Sequence, residues 1–321
     1  LVGSDERRVS LTRPSLNEPG QRFPALAMQG AEFLDATGDD FEFAAARKQH
    51  GLVILVHGMA NGPNCYWIRA MANAIEERMG ALGRIPNIVI YGWEDEADPN
   101  LFYDELPAPG FLNRLVKGYR DVVNASPLLG DFMTNVSLVR WHGEAQGIRL
   151  ESWIRSEIAL GHIDTSKPIH LIGHSAGGFA VGEAAYRLRQ GSSPVNVSMV
   201  TMLDTPLPLI RHIYSLPNPT RVERYISSIA GEIFALPGYD PYFVRVKQVT
   251  PEQLNPFNVY ADHSYSHEWY TKTIRQEQDL DDGFNRSPLL NPESPAMAAS
   301  ALPAAMTMQS FAEADASASS P

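Results

Sequence analysis

The sequence predicts an α/β fold with a doubly wound, mostly parallel sheet, and two observations carry this prediction. First, four short runs are continuously apolar rather than alternating, as strands covered on both faces are: residues 52–56, 87–91, 169–172 and 197–203. Second, stretches with helical spacing of apolar residues separate these runs, at 65–79, 144–160 and 176–190. Strands and helices therefore alternate along the chain, which favours parallel pairing with helices on both faces of one sheet.

Length and composition fit one such domain with extensions, because the 321 residues are 44% hydrophobic and 20% charged. We predict an N-terminal extension over residues 1–40, an α/β domain over 41–281 and a disordered tail over 282–321. The extension could add an outer strand or two to the sheet. The tail prediction rests on an Ala, Ser and Pro-rich composition with no Lys or Arg after Arg286.

Two segments are too long for simple connections and are predicted to be inserts that cover the sheet edge and form a substrate pocket. They span residues 101–140 and 206–258. The first insert offers an apolar wall, although the same side chains could equally pack onto the body of the domain: Phe102, Tyr103, Leu106, Phe111 and Leu112.

Charge and cysteine content exclude several classes of function. A net charge of −11 without a basic patch disfavours binding to nucleic acid or to anionic lipid headgroups. No apolar run approaches the ~20 residues that span a bilayer, so we expect no stable membrane insertion. The single cysteine, Cys65, excludes an internal disulfide and a cysteine-based metal cluster.

Neither a cofactor nor a metal is predicted. The acidic cluster Glu94, Asp95, Glu96 and Asp98 has no interleaved histidine and is interpreted as a solvated loop. The chain begins at Leu1 with no initiator Met and no charged-then-apolar leader, which fits a fragment or a processed form. The sequence thus leaves the compartment open.

The strongest functional motif places a serine between two glycines, in Gly173-His174-Ser175-Ala176-Gly177. The motif follows an apolar run and precedes a helical stretch, which is the context in which a G-x-S-x-G turn presents a nucleophile. Glycines two positions before and after the serine let a strained turn pass close to its neighbours. Ser175 is therefore the predicted nucleophile, the alternative being a glycine-rich connection with an incidental serine.

Two backbone N–H groups are predicted to form an oxyanion hole. One belongs to Ala176, at the start of the helix after the nucleophile, and the other to Met59 in the loop His57-Gly58-Met59. Gly58 would let this loop approach the nucleophile closely. His57 lies at a strand end before the nucleophile and is predicted to hydrogen-bond the loop backbone rather than to act as a base.

A serine hydroxyl needs an imidazole to accept its proton and a carboxylate to orient that imidazole. Asp204 is the predicted acid because it ends the run at 197–203, which brings it to the carboxyl end of a strand near Ser175. The alternative role for Asp204 is to cap the turn before Pro206. Asp240 and Glu252 are fallback candidates.

Two downstream histidines compete for the role of base. The helical stretch predicted to start near Ser266 leaves His263 on a preceding loop with reach to Ser175, and it carries His267 into its first turn. His263 is therefore the predicted base and His267 the alternative. His212 is a weaker third candidate, since it follows Asp204 by only eight residues with no strand before it.

These segments resemble the α/β-hydrolase superfamily, and within it the pancreatic-type lipases. The resemblance rests on four places: residues 170–177 continuing to 184, His57-Gly58-Met59 with Trp67 ten positions after the histidine, Leu203-Asp204-Thr205-Pro206, and Trp269-Tyr270-Thr271-Lys272-Thr273-Ile274. In that family the catalytic histidine stands six positions before the first aromatic residue of the last segment, which implies His263. The resemblance also implies the α/β-hydrolase fold and ester hydrolysis, but a chain with one cysteine cannot form the family's disulfide-closed lid.

The sequence as a whole predicts a serine carboxylic-ester hydrolase, esterase-like or lipase-like, that works through a Ser-His-Asp triad and an acyl-enzyme intermediate. Its expected partner is a small-molecule ester or lipid substrate, with no nucleic acid. A thioesterase, amidase or peptidase with the same triad is one alternative, because one constellation serves every acyl transfer. A non-catalytic α/β-hydrolase-like binding protein is the other, and the oligomeric state stays open.

Overall fold

The computed structural model describes residues 32–58, 64–93, 127–190, 192–205, 220–228, 243–247, 256–277 and 281–291. Within these ranges the chain forms a sheet of seven strands: β1 Glu32–Leu34, β2 Leu52–Val56, β3 Asn87–Gly92, β4 Ile169–His174, β5 Met199–Leu203, β6 Arg221–Ile226 and β7 Phe243–Arg245. The helices are α1 Ala45–Lys48, α2 Tyr66–Ala81, α3 Pro127–Ala159, α4 Ala176–Arg189 and α5 Pro256–Ile274, followed by a 3₁₀ helix at Gly283–Arg286.

The strand order is β1-β3-β2-β4-β5-β6-β7. Strand β1 pairs antiparallel with β3, and every other neighbouring pair in this sheet is parallel. The chain runs from β2 outward to β3 and then returns to β4 on the other side of β2. This reversal leaves a crevice at the carboxyl ends of β2 and β4, which is where open α/β sheets bind ligands. The predicted fold class is confirmed.

The two faces of the sheet bury two separate apolar layers. Alternate residues of β2, such as Ile54, belong to a layer with Ile154 of α3 and Phe179 of α4. The residues between them, such as Leu55, belong to a layer with Met71 of α2 and Tyr270 of α5. Because both faces are covered, the central strands are apolar at every position rather than at every second one.

Helices α3 and α4 pack at very short range through glycines. A Cβ atom added at Gly143 would lie 2.7 Å from Cβ of Phe179, and one added at Gly147 would lie 2.6 Å from the carbonyl oxygen of Ala180. Real Cβ atoms essentially never lie within 3.0 Å of another residue's heavy atoms in this way. The two glycines therefore let α3 lie directly on the helix that follows the serine turn.

The boundaries of two predicted segments are wrong. Helix α3 begins at Pro127, so part of the predicted insert at 101–140 is helical. The sequence does not predict this part of the helix because its glycines have low helical propensity. The predicted insert at 206–258 contains β6 and β7, which take part in the sheet. Strand β6 escapes the apolar pattern because Arg221, Glu223 and Arg224 interrupt its apolar residues. The predicted apolar wall at residues 102–112 lies outside the described residues.

Both ends of the predicted domain also extend further than the sequence suggests. Strand β1 lies in the predicted extension 1–40 and pairs with β3, as an added outer strand would. Residues 281–291 fall almost wholly in the predicted tail, yet Phe284 and Leu289 are buried. Ser287 contacts His170 of β4 at 3.0 Å, and Arg286 pairs with buried Glu223. These residues therefore belong to the folded domain. The composition of a short segment does not indicate contacts with strands that are distant in the sequence, so the sequence does not predict this packing.

We expect Gly147→Ala to lower the free energy of unfolding by about 1–3 kcal/mol, since the new methyl group would force α3 away from α4. Gly80→Ala is the matched control: a Cβ there would meet Ile85 at 3.4 Å, an ordinary contact. Because alanine favours helix over glycine, this control should leave stability unchanged or raise it by up to about 1 kcal/mol. Urea unfolding of both variants measures the difference, and equal effects would contradict the close-approach argument.

Candidate active site

Ser175 occupies a strained turn between β4 and α4. Its backbone angles are φ 52° and ψ −120°, a conformation that costs a non-glycine residue of order 1–3 kcal/mol. Its N–H donates to the carbonyl of Leu203 at 2.9 Å, so hydrogen bonding to β5 continues into the turn. A serine on such a strand-turn-helix segment projects its hydroxyl above the end of the sheet.

Three glycines, Gly58, Gly173 and Gly177, allow the close backbone approaches that this turn requires, as the sequence predicts. A Cβ at Gly173 would lie 2.3 Å from the carbonyl oxygen of Gly177, and one at Gly177 would lie 2.4 Å from that of Val56. At Gly58, a Cβ would lie 2.8 Å from Cβ of Ser175. The loop after β2 and the turn after β4 therefore touch directly at the topological switch point.

The predicted oxyanion donors are Ala176 and Met59. Ala176 is fully buried and is the first residue of α4. Its N–H therefore belongs to the first turn of the helix, where backbone donors have no acceptor within the helix. The positive end of the helix dipole lies at the same place. Met59 lies outside the described residues, but Gly58 directly before it contacts Ser175.

His57 hydrogen-bonds the backbone of its own loop and of Trp93, the residue after β3. Its Nδ1 lies 2.9 Å from the carbonyl oxygen of Gly58, and its Nε2 lies 3.1 Å from the backbone nitrogen of Trp93. The indole N–H of Trp93 donates in return to the carbonyl of His57. Burial lowers the pKa of His57 from 6.5 to about 4, so the ring is neutral. Both ring nitrogens are engaged, as expected for the backbone-binding role that the sequence predicts.

Asp204 directly follows β5, the strand beside the serine-bearing strand. It is fully buried with φ 46°, and its N–H donates to the carbonyl of Tyr225. One carboxylate oxygen accepts the backbone N–H groups of Ser227 at 2.8 Å and Ser228 at 3.0 Å. The other accepts the hydroxyl of Ser228 and contacts Nδ1 of His263 at 2.5 Å. Every side of the carboxylate is therefore engaged.

His263 lies within helix α5 rather than on a loop before it, so that part of the sequence prediction is wrong. The helix begins at Pro256, ten residues earlier than the predicted start near Ser266. Packing of Trp269, Tyr270 and Ile274 into the α2 layer stabilises this helix, which its local sequence alone does not mark clearly. His263 nevertheless reaches Asp204, and its side chain keeps 20% exposure.

His267 does not contact Asp204 in the structure but packs into a cluster of rings. It stacks on Trp67 with centroids 4.3 Å apart, and His174 meets it edge-on at 4.8 Å. Burial lowers the pKa of His267 to about 3, and burial together with the neighbouring histidines holds the pKa of His174 well below 6.5. Both rings are therefore neutral near pH 7.

Sequence reasoning did not identify Ser227 and Ser228, which hold the carboxylate of Asp204. The available signal was a pair of serines directly after the β6 run, at the same sheet edge as Ser175. The fallback candidates Asp240, Glu252 and His212 lie outside the described residues, as does the acidic cluster at 94–98. Among the residues that are described, no group of three His, Cys, Asp or Glu side chains is arranged to hold a metal ion. The helices described also include none with the length and apolar character needed to cross a bilayer.

The strand order, the single antiparallel edge pair and the serine turn after the central strand together define the α/β-hydrolase fold. No protein-family model and no curated protein sequence matches this chain.

Several solved structures are similar at low identity. A dienelactone hydrolase from Anabaena variabilis is 15% identical with a TM-score of 0.33, covering 68% of this chain and 85% of its own. Est1E from Butyrivibrio proteoclasticus is 12% identical with a TM-score of 0.31, covering 77% of this chain and 100% of its own. The poly(3-hydroxybutyrate) depolymerase LpqC from Bordetella parapertussis is 13% identical with a TM-score of 0.30, covering 70% and 71%. The fold assignment rests on the order and direction of the strands.

Acid should destabilise the fold through its buried histidines. In the folded state, burial lowers their pKa values from 6.5 to about 4 for His57 and to about 3 for His170 and His267. Below pH 6.5 the unfolded chain therefore binds protons that the folded chain does not. The free energy of unfolding is therefore unaffected by these groups above pH 6.5. Below pH 6.5 it falls by up to about 1.4 kcal/mol per pH unit for each such histidine, until the pH reaches the pKa of that histidine in the folded state.

Chemical unfolding at pH 7.5 and pH 5.0 measures this loss. In His267→Leu the drop between the two pH values should be smaller than in the wild type by about 1–2 kcal/mol, because one titrating group is gone. The same drop in both proteins would contradict the assignment of His267 as a neutral buried ring.

Proposed function

We propose that this protein is a serine hydrolase that cleaves carboxylic esters through an acyl-enzyme intermediate. The observation that carries the proposal is the contact between the buried carboxylate of Asp204 and Nδ1 of His263, at the end of the strand beside Ser175. Ser175 stands in the strained turn that presents a nucleophile. The three residues follow one another along the chain in the order that this fold uses for nucleophile, acid and base.

The hydrogen bond to Asp204 sets the tautomer of His263. A carboxylate can only accept, so Nδ1 of His263 carries the proton and Nε2 has a free lone pair. That lone pair takes the proton of Ser175 as the hydroxyl oxygen attacks the ester carbonyl. The positive charge that forms on the imidazole is stabilised by Asp204, and the same proton is then given to the leaving alcohol.

Water completes the cycle by the reverse use of the same groups. His263 removes a proton from the water molecule that attacks the acyl-enzyme, and it returns the proton to Ser175 as the acid leaves. No cofactor is required for either half of the reaction.

The negative charge on the substrate oxygen requires donors that are in place beforehand. We assign them to the N–H of Ala176, at the start of α4, and the N–H of Met59, after Gly58. A donor of this kind contributes about 10²–10³-fold to kcat. Supporting this assignment, Gly58 brings its loop into contact with Ser175.

The choice of an ester over a thioester or an amide rests on the resemblance to lipases and esterases. A chain-length series of nitrophenyl and glycerol esters, run beside a thioester and an anilide of the same acyl group, tests it. Highest kcat/KM on short aryl esters would make the protein an esterase, and rising activity on emulsified long chains would make it a lipase. Preference for the thioester or the anilide would overturn the ester assignment and keep the triad.

Ser175→Ala should abolish hydrolysis of a short aryl ester and covalent labelling by a fluorophosphonate probe, because it removes the hydroxyl that forms the acyl-enzyme. Circular dichroism and the melting temperature should match the wild type, since the hydroxyl donates no hydrogen bond to any of the residues that the structure describes. Ser152→Ala, a change at an exposed serine of α3, is the control and should still be labelled. Labelling of Ser175→Ala, or no labelling of the wild type, would refute the proposal and favour a binding protein.

Separate alanine variants of the two histidines distinguish the base. His263→Ala should lower kcat by several orders of magnitude, because it removes the group that accepts the proton of Ser175. His267→Ala should keep activity within about tenfold, since its ring contacts Trp67 and His174 rather than Asp204. Steady-state kinetics on one aryl ester gives both values, and the reverse pattern would assign the base to His267.

A further inference from the structure

We propose that His174 is a positioning residue that holds helix α5 so that the His263 imidazole faces Ser175. This inference rests on the proposed function and adds a residue to it. His174 is the last residue of β4 and precedes Ser175 directly, so it shares a peptide bond with the nucleophile. Its Nε2 lies 3.1 Å from the carbonyl oxygen of His263. One side chain thus links the backbone of the nucleophile to the backbone of the base.

The hydrogen bond determines which nitrogen of His174 carries its proton. A carbonyl can only accept, so Nε2 is the donor, and burial keeps the ring neutral with no proton on Nδ1. Nδ1 is buried and has no hydrogen-bond partner among the described residues. It lies against the loop after β2, because a Cβ at Gly58 would be 3.3 Å from it. His174 therefore spans the gap between the oxyanion loop and α5.

Aromatic contacts restrict the His174 ring on its other sides. Trp67, in the first turn of α2, meets it edge-on with centroids 5.3 Å apart, and His267 meets it edge-on at 4.8 Å. The His263 ring itself lies 4.7 Å away. The ring is only 2% exposed and has little room to turn. Its N–H is consequently held toward the His263 carbonyl.

A second side chain holds the backbone of α5 at the neighbouring residue, Asp262. The hydroxyl of Ser227 donates to the carbonyl of Asp262 at 2.5 Å. Two consecutive carbonyls of α5 are thus held from the sheet, one by the end of β6 and one by the end of β4. A base displaced by about 1 Å costs on the order of 10²-fold in rate, so the second link should matter for catalysis.

The test compares two substitutions of His174, one that removes the hydrogen-bond donor to the His263 carbonyl and one that replaces it. His174→Phe keeps an aromatic ring against Trp67 and His267 but has no N–H, whereas the amide of His174→Gln can replace Nε2 as a donor. We expect His174→Phe to lower kcat on a short aryl ester by about 10–100-fold with KM changed less than threefold. His174→Gln should keep kcat within about fivefold. The rate of fluorophosphonate labelling should follow kcat in both variants.

His170→Leu is the matched control, because His170 is also a buried histidine of β4 but bonds Thr201 and Ser287 away from the site. It should lower the melting temperature and leave kcat within about twofold. If His174→Phe does not fold, His174→Asn takes its place, since its shorter amide does not reach the His263 carbonyl.

Wild-type kcat in His174→Phe or in His174→Asn would overturn the positioning role, as would an equal loss of activity in His174→Gln. These outcomes differ from failure of the proposed function. In that case the wild type would neither hydrolyse the ester nor react with the fluorophosphonate, and the variants would have no activity to compare.

Discussion

The buried carboxylate of Asp204 is the group around which the rest of the site is arranged. A carboxylate removed from water is tolerated only when its oxygens are hydrogen-bonded. Its partners come from the end of β6, through Ser227 and Ser228, and from α5, through His263. Satisfying one side chain therefore requires a neighbouring strand and a distant helix to meet at the carboxyl end of β5. That requirement brings the part of α5 around His263 to the carboxyl end of β5.

Backbone strain concentrates at the same edge. Ser175 and Asp204 have positive φ angles, at adjacent positions after neighbouring strands. Each is held by a hydrogen bond that extends the sheet by one residue, from Ser175 to Leu203 and from Asp204 to Tyr225. The strain is of order 1–3 kcal/mol at each residue and is offset by the packed sheet beneath. At Gly58 and Gly177 the loop after β2 lies directly against the serine turn. These contacts hold the site in one arrangement, as pre-organised catalysis of the proposed kind requires.

Much of this arrangement could be predicted because its signals are local. The strands β2 to β5 are apolar runs, and the serine turn is a short string of small residues between a strand and a helix. Strand β6 could not be predicted in the same way, because Glu223 is buried among Arg221, Arg286 and Tyr225, and their charges hide the apolar pattern. The sequence likewise predicts a tail from residue 282 onward, because the partners of residues 282–291 lie far away in the sequence, on β4, β6 and α5.

The sequence by itself determined the fold class, the serine turn and the identity of the candidate acid, because periodicity and turn chemistry act over a few residues. It predicted His263 as the base, with His267 as the alternative, but its local argument put the start of α5 too late in the chain. Only the tertiary structure pairs His263 with Asp204, across 59 positions of sequence, and places His267 against Trp67. The physical reason is that the angular position of each histidine on α5 depends on where the helix packs, and that is decided by contacts with α2, β4 and β6.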